Sequence, residues 1–493
     1  MNYKEFISHA RPGFIVPVYR KYNSDFITPI MAYLKLREKG SYSFLLESVV
    51  RGEQLGRYSF LGQSPFLIQK QENDKIITMH ASKNHVSDDD FFNTLQQELN
   101  RYKVVSIEEL PSFVCGAVGF FGYEMIGHIE KLPPPKKDII GNDEALFNFY
   151  DNLIAFDHLK NEVILIANVF VDENSDIYNL YHEAQYRLDL LRGKLNRPLD
   201  SNLDFSVNWE SENSNFMKED FKQAVEKAKE YIFAGDIFQD VISQRFSVDF
   251  EGEPFQVYRA LRNINPSPYM FFLDMREYQI IGSSPEPLIR TKDKDELEII
   301  PIAGTRRRGK NAREDDQLAK ELLKDPKEIA EHVMLVDLAR NDLGRISEYG
   351  TVKVRDFKTI QRYSHVMHII SSVTGKLKKG LSVIDAFKSA FPAGTVSGAP
   401  KIRAMEIINE LEPEKRGVYA GAVGYFDFSG NMDMCIAIRT LVARNGQLFY
   451  QAGAGIVADS DPESEYMETV NKTKALRRAI QAADGGINDL IYR

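Results

Sequence analysis

Two stretches of this 493-residue chain gather carboxylates at a spacing that could hold a cation. In DPKEIAEH (325–332) and DPESEYMETVNK (461–472), Asp-Pro reads as a helix N-cap followed by proline in the first turn. Each then carries two glutamates three residues apart, Glu328 with Glu331 and Glu465 with Glu468, a spacing that aims both carboxylates to one side of a helix. Two such helix starts facing each other would collect four carboxylates. That is too much charge to leave unpaired, and it suits a hard cation that takes oxygen ligands, such as Mg²⁺. The same residues also fit plain helix starts, because Asp325 and Glu328 have capping-box spacing and acids are favoured in first turns.

Candidate anion holders accompany them. PIAGTRRRGKN (301–311) sets Arg306, Arg307 and Arg308 behind a Gly-Thr turn, in a chain with more acid than base. The glycine-rich FPAGTVSGAPK (391–401) and YQAGAGIVADSDPESE (450–465) match no nucleotide-binding fingerprint. They either bring backbone N–H groups to an anion or are ordinary turns. In chain order, Arg306, Thr395, Lys401, Arg439, Gly453, Gly455 and Lys472 could hold an organic dianion bridged to Mg²⁺. For proton transfer, Glu286 in GSSPEPLIR could be a partly buried carboxyl kept protonated to act as an acid, or a surface turn residue. His365 and His368 in YSHVMHIISS could bind metal from a helix, lie on a strand, or be satisfied in the core.

The elements that must position these groups read as follows. SYSFLLESV (41–49) and FVCGAVGFFGYEM (113–125) read as strands, NLIAFDHLKNEVILIANVF (152–170) as a hairpin, and about 176–192 as a helix. The polar, aperiodic stretch around 196–215 reads as a linker between an N-terminal region, 1–195, and a C-terminal region, 216–493. Beyond it, Phe221, Val225, Ala228 and Ile232 share a helical face, with Gly235 available as a left-handed stop. A helix is expected from about 326 to 341. Strands come in runs with helices between the runs, which favours an α+β fold of large antiparallel sheets over a doubly wound parallel sheet.

Composition narrows the function classes. Hydrophobic residues at 43% and charged residues at 27% describe a chain that folds in water. A net charge of −9 opposes general nucleic-acid binding. Cys115 and Cys435, the only cysteines, have no metal-ligand spacing and form no disulfide framework, so a reducing compartment is expected. The opening MNYKEFISHARPGF lacks a signal-type apolar core, and the apolar run VILIANVFV (163–171) falls far short of a membrane span. The expectation is a cytoplasmic protein with no membrane partner.

Over about 225–480 the chain resembles the chorismate-utilising enzymes, and within them the large components of anthranilate synthase. The resemblance rests on PIAGTRRRG, DPKEIAEHVMLVDLARNDLGR, QRYSHVMHIISSVTG, AFPAGTVSGAPKIRAMEIINELEP, RGVYAGAVGYF and QAGAGIVADSDPESEYMETVNK. LLES (45–48) marks the family's regulatory region more weakly. The resemblance implies two orthogonal antiparallel sheets packed as a sandwich with helices outside. It also implies a Mg²⁺-dependent addition of ammonia to chorismate with loss of the ring hydroxyl, then elimination of pyruvate to give anthranilate.

Carried over by motif, Glu331 and Glu468 resemble the direct Mg²⁺ ligands, with Glu328 and Glu465 acting beside them or through water. Tyr419, Arg439, Gly453, Gly455 and Lys472 resemble the holders of substrate carboxylates. Gly304, Thr305 and Thr395 resemble parts of the substrate wall. Glu286 resembles the general acid and His368 the histidine of the elimination step. Gln239 stands where water-adding relatives carry a lysine base, and Ala303 where aminodeoxychorismate synthases carry a nucleophilic lysine; both point to amination. Asp240 departs from the aliphatic residue usual there. Glu47, Ser48, Pro266, Tyr269, Met270 and Phe271 resemble a tryptophan pocket, which implies feedback inhibition. The chain has no glutaminase motif, so the resemblance implies a separate glutamine amidotransferase subunit as the source of ammonia.

Overall fold

Alternation along single strands divides the apolar residues between two cores. In Ser43–Glu47 and Tyr269–Asp274, Phe44, Phe271 and Leu273 join one buried cluster, while Leu45, Met270 and Phe272 join another. Successive side chains of a strand leave opposite faces, so this sheet is covered on both. A computed structural model describes residues 1–49, 56–72, 74–80, 83–199, 203–293, 295–362 and 366–484.

Among these residues the strands form two large sheets, one of 13 strands and one of 12. The pairings are antiparallel apart from the short contact of Phe14–Asn23 with Lys103–Val104. The first core lies between the sheets, where Phe44, Phe60 and Phe271 meet Phe120, Phe147, Val423 and Phe426. Helices cover the far face of the larger sheet through Tyr33, Leu188, Tyr258, Leu476 and Ile480. The α+β class expected from the strand runs and the sandwich that the resemblance implies are thus the fold.

Both halves of the chain build both sheets. Strand Ser43–Glu47 pairs with Tyr269–Asp274, and Gly116–Phe121 with Ala422–Asp427. The linker reading of 196–215 is corrected in part: Phe205–Ser214 is a strand paired with Gln239–Gly252, and residues 200–202 lie outside the described residues. It sits at the end of the sheet, and its exposed positions alternate with covered ones, which is why its sequence is so polar.

The expected helices form at Ile177–Leu195, Lys218–Ala234 and Pro326–Ile346. Lys218–Ala234 buries Phe221, Val225 and Ala228 and ends on Gly235 at φ 85°. No helix among the described residues is long and apolar enough to cross a membrane.

Candidate active site

The strand Ile302–Arg307 breaks register where the chemistry gathers. Against Val366–Lys376, Ala303 pairs with Ile369 and Thr305 with His368, which leaves Gly304 as the extra residue of a bulge at φ 64°. A side chain on Gly304 would be strained, and its Cβ would stand 3.0 Å from Glu328 Oε2. The bulge turns the Gly304 carbonyl toward His368, whose Nδ1 lies 2.9 Å from that oxygen and 3.1 Å from Thr305 Oγ1. A carbonyl only accepts, so Nδ1 carries the hydrogen and Nε2 is the basic nitrogen. Burial lowers the His368 pKa and favours this neutral ring.

Thr305, His368 and Gly304 line a cavity of about 260 Å³ together with Gln239, Glu286, Ala303, Glu331, Thr395, Tyr419, Arg439, Gly453 and Lys472. Gly455 borders it, since a Cβ there would stand 2.7 Å from Gln239 Nε2. Strand Gln447–Ile456 supplies the glycines. Pro462–Asp484 supplies Lys472, which donates to the Gly453 carbonyl at 2.9 Å. Arg439, at φ 51°, donates to the Lys472 carbonyl, and burial lowers its pKa. Glu286 precedes strand Pro287–Asp293 and accepts a hydrogen bond from Thr395 Oγ1 at 3.0 Å. Burial pushes its pKa up to about 7, against smaller opposing effects of Thr395 and Lys472. It is therefore a carboxyl that carries its proton near neutrality, as a general acid must.

The four glutamates lie at the mouth of two helices. Glu331 lines the cavity itself. The other three hold protein partners: Glu328 the Arg306 guanidinium at 3.0 Å, Glu465 the Ser460 hydroxyl at 2.7 Å, and Glu468 the Lys472 ammonium at 2.7 Å. Among the described residues Glu331 has no hydrogen-bond or ion-pair partner. Its pKa is raised by burial, and further by Glu328 and Glu468. A carboxylate at the cavity wall with no partner among the described residues, beside two like charges and with oxygen donors only, is what a Mg²⁺ ion would satisfy.

Several expected contacts belong elsewhere. Among the described residues Arg306, Arg307 and Arg308 do not line the cavity. They bind the chain's own acids: Arg306 pairs with Asp325 and Glu328, Arg307 with Glu314, and Arg308 with Asp315. Lys401 is bound to Asp342 at 3.1 Å. His365 lies outside the described residues. Asp240 is fully buried, accepts from the Val241 N–H at 2.9 Å, and is pushed up to about 8 by burial. The strand alternation that turns Gln239 into the cavity turns Asp240 away from it. Gln451, two residues before Gly453 on the same strand face, also lines the cavity, a neighbour that period-two reading could have found.

A second cavity of about 250 Å³ opens between the sheets. Glu47, Ser48, Tyr269, Met270 and Phe271 line it, but Pro268 does so in place of Pro266. Arg57, Tyr58, Phe60, Tyr425 and Asp433 complete much of its wall. Ser48 Oγ is buried with no partner among the described residues.

The chain is similar to known proteins along most of its length. The family profile of the chorismate binding enzymes matches residues 43–478. Anthranilate synthase component 1 of Acetivibrio thermocellus is 46% identical over 477 residues, covering 95% of this chain and 96% of that protein. The chain belongs to the anthranilate synthase component 1 family of chorismate-binding enzymes. The crystal structure of anthranilate synthase component I from Streptococcus pneumoniae superposes with a TM-score of 0.77 at 40% identity, covering 92% of this chain and 98% of that one. The menaquinone-specific isochorismate synthase of Escherichia coli shares the fold alone, with a TM-score of 0.71 at 20% identity over 97% of this chain and 99% of that one.

Proposed function

We propose that this family member converts chorismate and ammonia to anthranilate, the first step of tryptophan biosynthesis, with Mg²⁺ as cofactor. The observation that carries the reading is the company of Glu286 in its cavity: a carboxyl with a pKa near 7 shares that space with Gln239 and Ala303 and, among the described residues, with no lysine except Lys472. A lysine base would be needed to activate water and a lysine nucleophile to attack the ring; glutamine and alanine do neither. Ammonia arrives already nucleophilic. As its nitrogen bonds to the ring, the ring C–O bond breaks and Glu286 gives its proton to the departing hydroxyl, which leaves as water.

Lys472, Arg439 and the backbone around Gly453 and Gly455 supply cations and N–H donors for the substrate carboxylates, with Tyr419 and Thr395 beside them. Glu331 and Glu468, with Glu328 and Glu465 alongside, would hold a Mg²⁺ ion, which would supply positive charge for a substrate carboxylate. His368, neutral and basic at Nε2, suits the proton removal that accompanies loss of pyruvate and restores the aromatic ring.

In the cell the ammonia comes from a separate glutamine amidotransferase subunit, because neither cysteine suits a nucleophile: Cys115, against the Tyr150 carbonyl, and Cys435 are both buried, and burial raises the pKa of each. The second cavity binds tryptophan as a feedback inhibitor. Its aromatic wall suits an indole, and the Ser48 hydroxyl, with no partner among the described residues, suits a polar group of the amino acid.

The test is to incubate the purified chain with chorismate, MgCl₂ and an ammonium salt at mildly alkaline pH and identify the products by fluorescence and mass. Anthranilate with pyruvate is the expected result. A hydroxylated or 4-aminated product would overturn the reading of Gln239 and Ala303. Activity with glutamine from the chain alone would overturn the separate subunit, and an unchanged rate under saturating tryptophan would overturn the inhibitor site.

A further inference from the structure

The arginine behind the Gly-Thr bulge is spent on carboxylates that a cation would otherwise claim. Arg306 Nη1 lies 3.0 Å from Glu328 Oε1 and donates to the Thr305 carbonyl at 3.0 Å, while Nη2 donates to Asp325 Oδ2 at 2.8 Å. Asp325 is itself fixed as the N-cap of Pro326–Ile346, its Oδ1 taking the N–H groups of Lys327 and Glu328. The guanidinium is thus held by three oxygens, and its planar fork leaves one orientation. At the start of Pro462–Asp484, Glu468 is held, among the described residues, only by Lys472, one helical turn away in an i,i+4 pair of the kind that is weak and readily exchanged.

We propose that Arg306 is the built-in counter-ion of the carboxylate cluster, a positioning residue that occupies Glu328 so that the cluster accepts one divalent ion, at Glu331 and Glu468, and refuses a second. The inference rests on the Mg²⁺ reading above. Charge carries it: Glu328, Glu331 and Glu468 act on one another, with Lys327 and Lys472 nearby, and Arg306 is the cation bonded to Glu328 itself. Without Arg306 the cluster gains one unit of negative charge and Glu328 loses that partner, which makes room for a second ion.

The experiment counts ions rather than turnover. The apo chain is titrated with Mn²⁺ as the probe, and free Mn²⁺ is followed by electron paramagnetic resonance. The wild-type chain is expected to bind one equivalent. Arg306→Gln is expected to bind two, the second within about tenfold of the affinity of the first, and Arg306→Gln with Glu328→Gln is expected to return to one. Arg306→Lys, which keeps the charge but not the fork, should still bind one, and it tests the idea should the glutamine variant fail to fold. One equivalent at unchanged affinity in folded Arg306→Gln, or two in Arg306→Lys, overturns the counter-ion role and leaves the Mg²⁺ reading standing. A wild-type chain that binds no Mn²⁺ overturns both.

Discussion

The two cavities are nearly equal in volume, about 260 and 250 Å³, and opposite in how their charges are settled. In the inter-sheet cavity the charged residues are already matched: Glu47 with Arg262 and Tyr258, Arg57 with Asp157, Arg290 with Glu298, and Asp433 with the Tyr269 hydroxyl. Such a wall can recognise a ligand but has no charge left to do work on it. In the other cavity Glu331 has no partner among the described residues, and Glu286 is held at a pKa near 7 by burial. Under the proposed function, unsettled charge goes with chemistry and settled charge with recognition.

The sharpest way to break this contrast is to remove the unpaired carboxylate. Glu331→Ala should lower anthranilate formation by about 10³-fold or more, roughly 4 kcal/mol of lost stabilisation, with an unchanged circular dichroism spectrum. Activity within tenfold of wild type would place the metal elsewhere. Glu286→Gln should cost about 10² to 10³-fold in kcat. In the wild-type chain the proton on Glu286 is lost as pH rises through its pKa of about 7, so kcat/KM should fall on the alkaline side of that value, with no such limb in the residual activity of the glutamine variant. A limb of the same shape in the variant would assign it to another group.

The contrast extends to the two sides of one helix. Next to Glu331, His332 turns into the core, fully buried, with Nε2 2.7 Å from Ser371 Oγ and Nδ1 without a partner among the described residues. Burial, aided by Lys358, lowers its pKa to about 4. The neutral ring is the folded form, so its contribution is complete above the unfolded pKa near 6.5 and is lost as pH falls toward 4. That loss is at most about 3 kcal/mol. Thermal melts of wild type should show Tm falling over that window, and His332→Gln should flatten the fall; parallel pH profiles would exclude His332 as its source.

What the sequence made legible here was local. Paired glutamates three apart, Asp325 as a cap and Gly235 as a stop depend on near neighbours, and each lies where its spacing implies. What it hid was set by distant partners. Arg306 looked like an anion holder because its acids lie 19 and 22 residues along the chain, and Lys401 because Asp342 lies 59 residues back. Strand Phe205–Ser214 looked like a linker because one side of an edge strand faces water, which removes the apolar run that strand recognition needs. The wall residues Arg57, Tyr425 and Asp433 join Tyr269 only because two sheets meet there, and no spacing along the chain encodes that meeting.

The smallest expected effect tests the recognition side. Glu47 is 4% exposed and accepts from Tyr258 Oη at 2.6 Å and from Arg262 at 3.1 and 3.2 Å. Glu47→Gln keeps an acceptor for the phenol but removes the negative charge that would face the ammonium group of tryptophan. The concentration of tryptophan giving half inhibition, measured against the variant's own uninhibited rate, should rise about tenfold, or roughly 1.4 kcal/mol, the size of one charge-assisted hydrogen bond. An unchanged half-inhibition concentration would show that Glu47 serves only Arg262 and Tyr258 and that the amino group is held by another part of the wall.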